Sequence, residues 1–274
     1  MNKIVATFLA SVFACVAVVI PGPPGESENT VEYWLKQLDS QSGTERSNAA
    51  YRLGRLGPKA KQAVPELISA LHDSDCGVRC SAAVAVGQIG PDARPAVPEM
   101  VRLLQRDDLV LRFLVVKALG DIGPNAAEAV PALVELVKQK PDLGTDPLAR
   151  LVRYDAAKSL GRIGPPAQTA VPVLVEALKD ESPNMRGNAV TALGEIRPDS
   201  ETAIRALVEA LNDPSPFIRA EAATALGRIG NSDHFVSASL ERALKDRDGE
   251  VRKAAADSLK KLNAATGPTR VSRN

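Results

Sequence analysis

Few residues in this chain have the type and spacing that chemistry requires. His72, Cys76 and Cys80 stand in a His-x3-Cys-x3-Cys arrangement, three soft or borderline ligands of the kind that hold zinc or copper. A closed structural site wants four such groups and no fourth follows nearby, so no metal is assigned. A disulfide between Cys76 and Cys80 is the exported-protein alternative, but bridging a loop and the helix start beside it demands tight geometry. Two small, half-buried thiols fit better. His234 is the one other histidine, which excludes multi-histidine metal centres. There is no Gly-x-Ser-x-Gly elbow, no glycine loop of the phosphate-cradling kind and no histidine placed beside an activated hydroxyl. Paired acids such as Asp180 and Glu181 read as a solvated turn. The expectation is a protein with no catalytic residue and no cofactor.

Charge and composition narrow the partners. Across 274 residues, 34 Lys and Arg balance 33 Asp and Glu, leaving a formal charge of +1 and no strong field to draw the chain onto nucleic acid. One Trp, three Tyr and five Phe supply few stacking platforms for bases or aromatic ligands, and Phe8 and Phe13 lie in an N-terminal leader. Nucleic acid is therefore not an expected partner.

That leader has the layout of an export signal. Met1 to Lys3 carry one positive side chain, and Ile4 to Ile20 form an uncharged apolar run of 17 residues. Cleavage is the favoured reading; retention as an N-terminal membrane anchor is the alternative. Cys15 loosely matches a lipidation box, but bulky Phe13 breaks that pattern and Cys15 reads as part of the run. Residues 21–29, from Pro21-Gly22-Pro23-Pro24-Gly25 onward, cannot hold a helix and form a tether. The folded domain is expected over 30–262, with 263–274 a disordered tail. The protein is expected to be exported, periplasmic or secreted, touching a membrane only through a retained leader.

From residue 30 onward the chain is one unit written seven times. Leu53-Gly54-Arg55-Leu56-Gly57-Pro58 recurs as Val86-Gly87-Gln88-Ile89-Gly90-Pro91, Leu119-Gly120-Asp121-Ile122-Gly123-Pro124 and Leu160-Gly161-Arg162-Ile163-Gly164-Pro165. Leu193-Gly194-Glu195-Ile196-Arg197-Pro198 and Leu226-Gly227-Arg228-Ile229-Gly230-Asn231 continue it, and Leu259-Lys260-Lys261-Leu262 is a degenerate last copy. The anchor positions 54, 87, 120, 161, 194, 227 and 260 are spaced by 33 residues, except for one step of 41. Each unit contains two helices. The first opens on Val-Pro, as at Val64-Pro65, where proline presets the backbone and forfeits no hydrogen bond, and carries apolar residues at steps of three and four. The second runs up to the anchor, with one large apolar residue (Val78, Leu111, Val152, Met185, Ile218 or Val251), then small alanines that let helices approach, then a terminating glycine. Neither helix buries its stripe alone, so the fold class expected is all-α: a right-handed α-α superhelix of about seven stacked helix pairs. Lys260 replaces glycine in the last copy, as expected if the glycine serves only to admit a following repeat.

The string Asp246-Arg247-Asp248-Gly249-Glu250-Val251-Arg252-Lys253-Ala254-Ala255, together with Ala-Val-Pro-x-Leu, resembles the HEAT-like repeat of the phycobilisome-lyase type, an armadillo-like α-solenoid. The resemblance covers 30–262. It implies a solenoid and leaves function open, because that family holds chromophore lyases, an iron-dependent hydroxylase of a modified lysine, and plain interaction modules. The hydroxylase needs several His-Glu pairs, whereas here His72 precedes Asp73 and His234 precedes Phe235, which excludes that activity. No residue matches a lyase function.

Two rows of side chains recur at fixed register. Arginine holds one position in all seven copies, Arg46, Arg79, Arg112, Arg153, Arg186, Arg219 and Arg252, with aspartate six residues earlier at Asp73, Asp180, Asp213 and Asp246. Planar guanidinium groups bridging carboxylates and turn carbonyls of adjacent repeats form a structural ladder in preference to a phosphate track. Positions seven and three before each anchor are expected on the concave side. Along that face Phe113, Lys117, Tyr154 and Lys158 gather in the third and fourth copies as half-exposed aromatics beside amines, the ingredients of a protein contact, or as aromatics packed on one another. The eight extra residues fall in the same neighbourhood, within 138–147. The leading expectation is a monomeric, non-enzymatic scaffold that binds a protein partner; the alternative is a lyase-type chromophore- or cofactor-handling protein or enzyme accessory.

Overall fold

The computed structural model describes residues 30–140, 147–231 and 233–266, apart from the side chains of 265 and 266. The leader at 1–20, the tether at 21–29 and positions 141–146 of the insertion lie outside the described residues. Fourteen α-helices and no strand occur among those described. They form seven pairs: α1 (Val31–Gln37) and α2 (Gly43–Leu56), α3 (Val64–Ala70) and α4 (Cys76–Ile89), α5 (Val97–Leu103) and α6 (Leu109–Ile122), α7 (Val130–Lys138) and α8 (Pro147–Ile163). The series continues with α9 (Val171–Ala177) and α10 (Pro183–Ile196), α11 (Glu201–Ala210) and α12 (Pro216–Ile229), α13 (His234–Ala243) and α14 (Gly249–Thr266). The last helix runs four residues beyond the expected end of the repeat domain at 262. Two compact units are distinguished, one ending at Ser159 and the other beginning at Leu160.

Local chemistry explains where each helix starts and stops. The hydroxyls of Thr30, Ser42 and Ser200 and the carboxylates of Asp75 and Asp108 accept backbone N–H groups of the first turn. Pro65, Pro98, Pro131 and Pro172 sit in the first turns of α3, α5, α7 and α9, where no donor is lost. At the far end of the second helices Gly57, Gly90, Gly123, Gly164 and Gly230 take φ between 58° and 78°, and the first four lead into short 3-10 segments that deliver the chain to the next pair. In the fifth copy Arg197 holds this left-handed position at φ 54°. An L side chain is strained there, so Arg197→Gly is expected to raise the free energy of unfolding by about 1 kcal/mol, read from the shift in a denaturant melt.

Packing follows the sequence pattern closely. The large residues heading the second helices, Val78, Leu111, Val152, Met185, Ile218 and Val251, are all buried, as are Trp34 of α1 and Leu67 and Leu71 of the second pair. Within each unit the second helices stack directly on one another, α2 on α4, α4 on α6, α10 on α12 and α12 on α14. The anchor glycines permit this. A Cβ on Gly54 would lie 2.7 Å from the Cα of Ala85, one on Gly87 2.9 Å from that of Ala118, and one on Gly194 3.0 Å from that of Ala225. Ser159 and Ser258 occupy the equivalent place opposite Gly120 and Gly227. Their buried hydroxyls donate to the carbonyls of Val116 and Ala223, at 2.8 and 2.9 Å, so neither costs an unmet hydrogen bond.

Candidate binding face

The arginine row forms the expected ladder, with the same complete rung at Arg46, Arg186 and Arg219. Arg186 gives Nη1 to the carbonyls of Asp180 and Glu181 in the turn just before its own helix, at 3.0 and 3.1 Å. It gives Nε and Nη2 to the two carboxylate oxygens of Asp213, 27 residues on, at 2.7 and 3.2 Å. Arg46 with Asp73 and Arg219 with Asp246 repeat this bidentate geometry. Each guanidinium thus ties a turn of its own repeat to a turn of the next, with its charge shared between carbonyls and a carboxylate. The Arg46 and Arg219 hydrogen bonds hold the Asp73 and Asp246 carboxyls below the usual carboxylate range. Among the described residues Arg252 makes the carbonyl half alone, to Asp246 and Arg247.

The middle of the array departs from that pattern. Arg79 reaches Asp108 at 3.4 Å, because position 106, where the aspartate belongs, holds arginine. Arg153 turns its buried Nε to the carbonyl of Val137 at 2.8 Å. Arg112 donates Nη2 to the carbonyl of Arg106, but its Nε–H is buried without an acceptor among the described residues.

The four residues expected at a partner contact divide. Lys117 and Lys158 are exposed one turn along from Phe113 on α6 and from Tyr154 on α8, at equivalent register. The hydrogen bond from Ser159 to Val116 brings α6 and α8 together beside them. Tyr154 is half-buried. Phe113, expected to be partly exposed, is only 7% accessible, and its ring lies beneath the Lys117 ammonium, 5.4 Å from centroid to nitrogen. It supports the lysine and does not offer a face of its own. Several positions seven before the anchor lean into the seam with the next repeat in the same way, although Lys253 of the last copy is exposed. Cys80 is buried, Ser47 Oγ meets Ser81 Oγ at 2.9 Å, and a Cβ on Gly187 would touch the Phe217 ring at 3.4 Å. The row three before the anchor is the more open one, exposed at Lys117, Lys158 and Asp257 and half-buried at Tyr51, Val84, Thr191 and Thr224.

His72 does not turn toward the cysteines; its Nε2 pairs with Glu99 of the next repeat at 2.9 Å. Cys76 is exposed while Cys80 is buried, so the two thiols differ and the expectation of two half-buried ones is corrected. Sequence reasoning passes over Phe217, 63% exposed at the start of α12. A signal for it exists: the same register position holds Thr44, Gly77, Val110, Leu151, Asn184 and Glu250, so an aromatic there stands out.

A family model described as HEAT repeats matches residues 31–96, 148–216 and 171–260. The chain belongs to the HEAT-repeat family. Among solved structures, the CpcE–CpcF complex of phycocyanin lyase from Nostoc sp. PCC7120 is similar at 24% identity and a TM-score of 0.57, covering 89% of this chain and 97% of that one. An engineered protein matches at 24% identity and 0.60, over 96% of this chain and 76% of that one. Importin β matches at 17% and 0.55, over 94% of this chain and 38% of that one. At these identities the likeness concerns the fold alone. No curated protein sequence matches. The HEAT-repeat assignment agrees with the paired helices and the repeat-to-repeat seams, while the exposed pair Lys117 and Lys158 has to be understood from its own chemistry.

Proposed function

We propose that this HEAT-repeat protein is a monomeric, exported scaffold without catalytic activity that binds a protein partner on the exposed face of its second helices. The observation that carries the reading is the pair Lys117 and Lys158, two exposed amines at equivalent register on adjacent helices, with half-buried Tyr154 beside them and Phe113 underneath. Cations over an aromatic base, set on rigid helices, are suited to a partner surface carrying carboxylates. Among the described residues no helix is long and apolar enough to cross a bilayer.

Charge reversal tests the reading. The purified protein and its K117E/K158E variant, matched in melting temperature, are used to capture proteins from the native extract. A partner retained by the parent and lost by about tenfold or more in the variant is the expected result, since like charges placed across an interface are strongly repulsive. Equal capture by both would remove this face from the binding reaction.

A second reading has one observation in its favour, the likeness to the phycocyanin lyase complex. In that reading the same face holds a chromophore or cofactor as part of a lyase-type system. Visible absorbance co-purifying with the protein, removed by the same two substitutions, would favour it over the scaffold.

A further inference from the structure

Three rings in this chain carry one of its own cations over the face. Arg52 stands over Trp34, Lys117 over Phe113 and Arg205 over Phe235, with 5.7, 5.4 and 5.2 Å from the charged group to the ring centroid. Phe217 is the most exposed of the large apolar side chains described, and no cation among the described residues stands over it. It sits at the start of α12 in the second unit, and its ring leans on α10, where a Cβ on Gly187 would lie 3.4 Å from it. One turn on, Glu221 is half-buried, and its carboxylate accepts from the Thr191 hydroxyl of α10 at 3.4 Å. Residues four apart share a helix face, so ring and carboxylate lie side by side over the same stretch of α10. Positions ten, seven, six and three before the anchors of α10, α12 and α14 carry the acids Glu221, Glu250 and Asp257 against one base, Lys253.

We infer that Phe217 and Glu221 form a receptor for a basic side chain, Arg or Lys, presented by the protein partner. An aromatic ring draws a cation to its electron-rich face, weakly in open water and more strongly once the contact is desolvated. The carboxylate beside it adds charge-assisted hydrogen bonds to the same group. The acidic excess along these helices favours a cation over an anion, the opposite of the Lys117 and Lys158 face in the first unit. Gly187 gives the ring a helix surface to rest against, so the receptor is held in place before a partner arrives. Elsewhere the chain fills this role from within, as Arg205 does at Phe235. The inference rests on the scaffold reading, since it names a second chemical group that the partner must present.

The test uses the full-length protein labelled with nitrogen-15 and follows the backbone amides of Thr191 and Glu221. Probes are the capped tripeptide acetyl-Gly-Arg-Gly-amide and its citrulline counterpart, which keeps the shape of arginine without the charge. The Arg peptide should move both resonances saturably, with an affinity about fivefold or more above that of the citrulline peptide. Phe217→Leu, which keeps an apolar side chain but removes the ring, should reduce that preference to about twofold or less, and Phe217→Trp, the better platform, should widen it. No saturable shift, equal responses to the two peptides, or a preference unchanged by Phe217→Leu would overturn the assignment. So would binding that emerges only in an R270Q/R273Q variant, since the receptor would then serve the protein's own basic tail. A partner captured through Lys117 and Lys158 while the Arg peptide leaves Thr191 and Glu221 untouched would sink this inference and spare the scaffold.

Discussion

Replacing Gly87 by leucine is expected to destabilise the first unit by about 3 kcal/mol, near the upper end of the cost of overpacking. A Cβ alone at Gly87 would stand 2.9 Å from both Cα and Cβ of Ala118, so the backbone of α6 must retreat before the rest of the side chain is placed. Helix propensity works the other way by about 1 kcal/mol, since any side chain but proline's outranks glycine inside a helix. The packing term wins because the obstacle is backbone and cannot rotate aside. Leucine at Lys260, the equivalent anchor position, is exposed on α14 and should change stability by no more than about 0.5 kcal/mol. Thermal unfolding followed by circular dichroism separates the two. Equal effects at both positions would mean that the glycines serve some purpose other than close approach.

Arg186→Ala is expected to cost about 3 kcal/mol, the usual penalty for removing one partner of a buried ion pair. The Asp213 carboxylate, 8% exposed, would lose both N–H donors of the guanidinium, and the carbonyls of Asp180 and Glu181 would lose theirs. The pH dependence carries a sign. Burial of Asp213 disfavours its charge, but the hydrogen bonds from Arg186 and from the Ser215 backbone outweigh that and hold its carboxyl below the ordinary carboxylate range. A carboxyl depressed in the folded state stabilises the protein above its unfolded value, about 3.9, and that stability drains away as pH falls through the folded value. The parent should therefore lose stability below about pH 4, and the variant should do so on a shallower slope. A ligand interaction lost with the melting point unchanged would instead make Arg186 a binding residue and refute the ladder.

The ladder was legible in sequence because its two halves are local rules: an arginine at one register and an aspartate six residues before it. Where a repeat breaks the second rule, the structure improvises, and Arg79 turns to Asp108 in place of the arginine at 106. Register alone makes Arg112 one of seven equals, and only the three-dimensional structure shows that its Nε–H is buried without an acceptor among the described residues. Phe113 shows the same limit. Periodicity places it on the same side of its helix as Lys117, but whether that side is surface or seam depends on the angle at which the next helix leans, and here the seam takes Phe113 and leaves Lys117 exposed.

The amino-acid sequence determined the paired helices, their capped ends, the glycines at close approach and the arginine row, because each of these is set by residues within one turn or by a repeat that copies itself at constant spacing. Tertiary structure decided which positions of a second helix reach solvent and which are taken into the seam with the next repeat. Those outcomes depend on contacts between residues 27 or more apart, whose identities vary from copy to copy while the register does not.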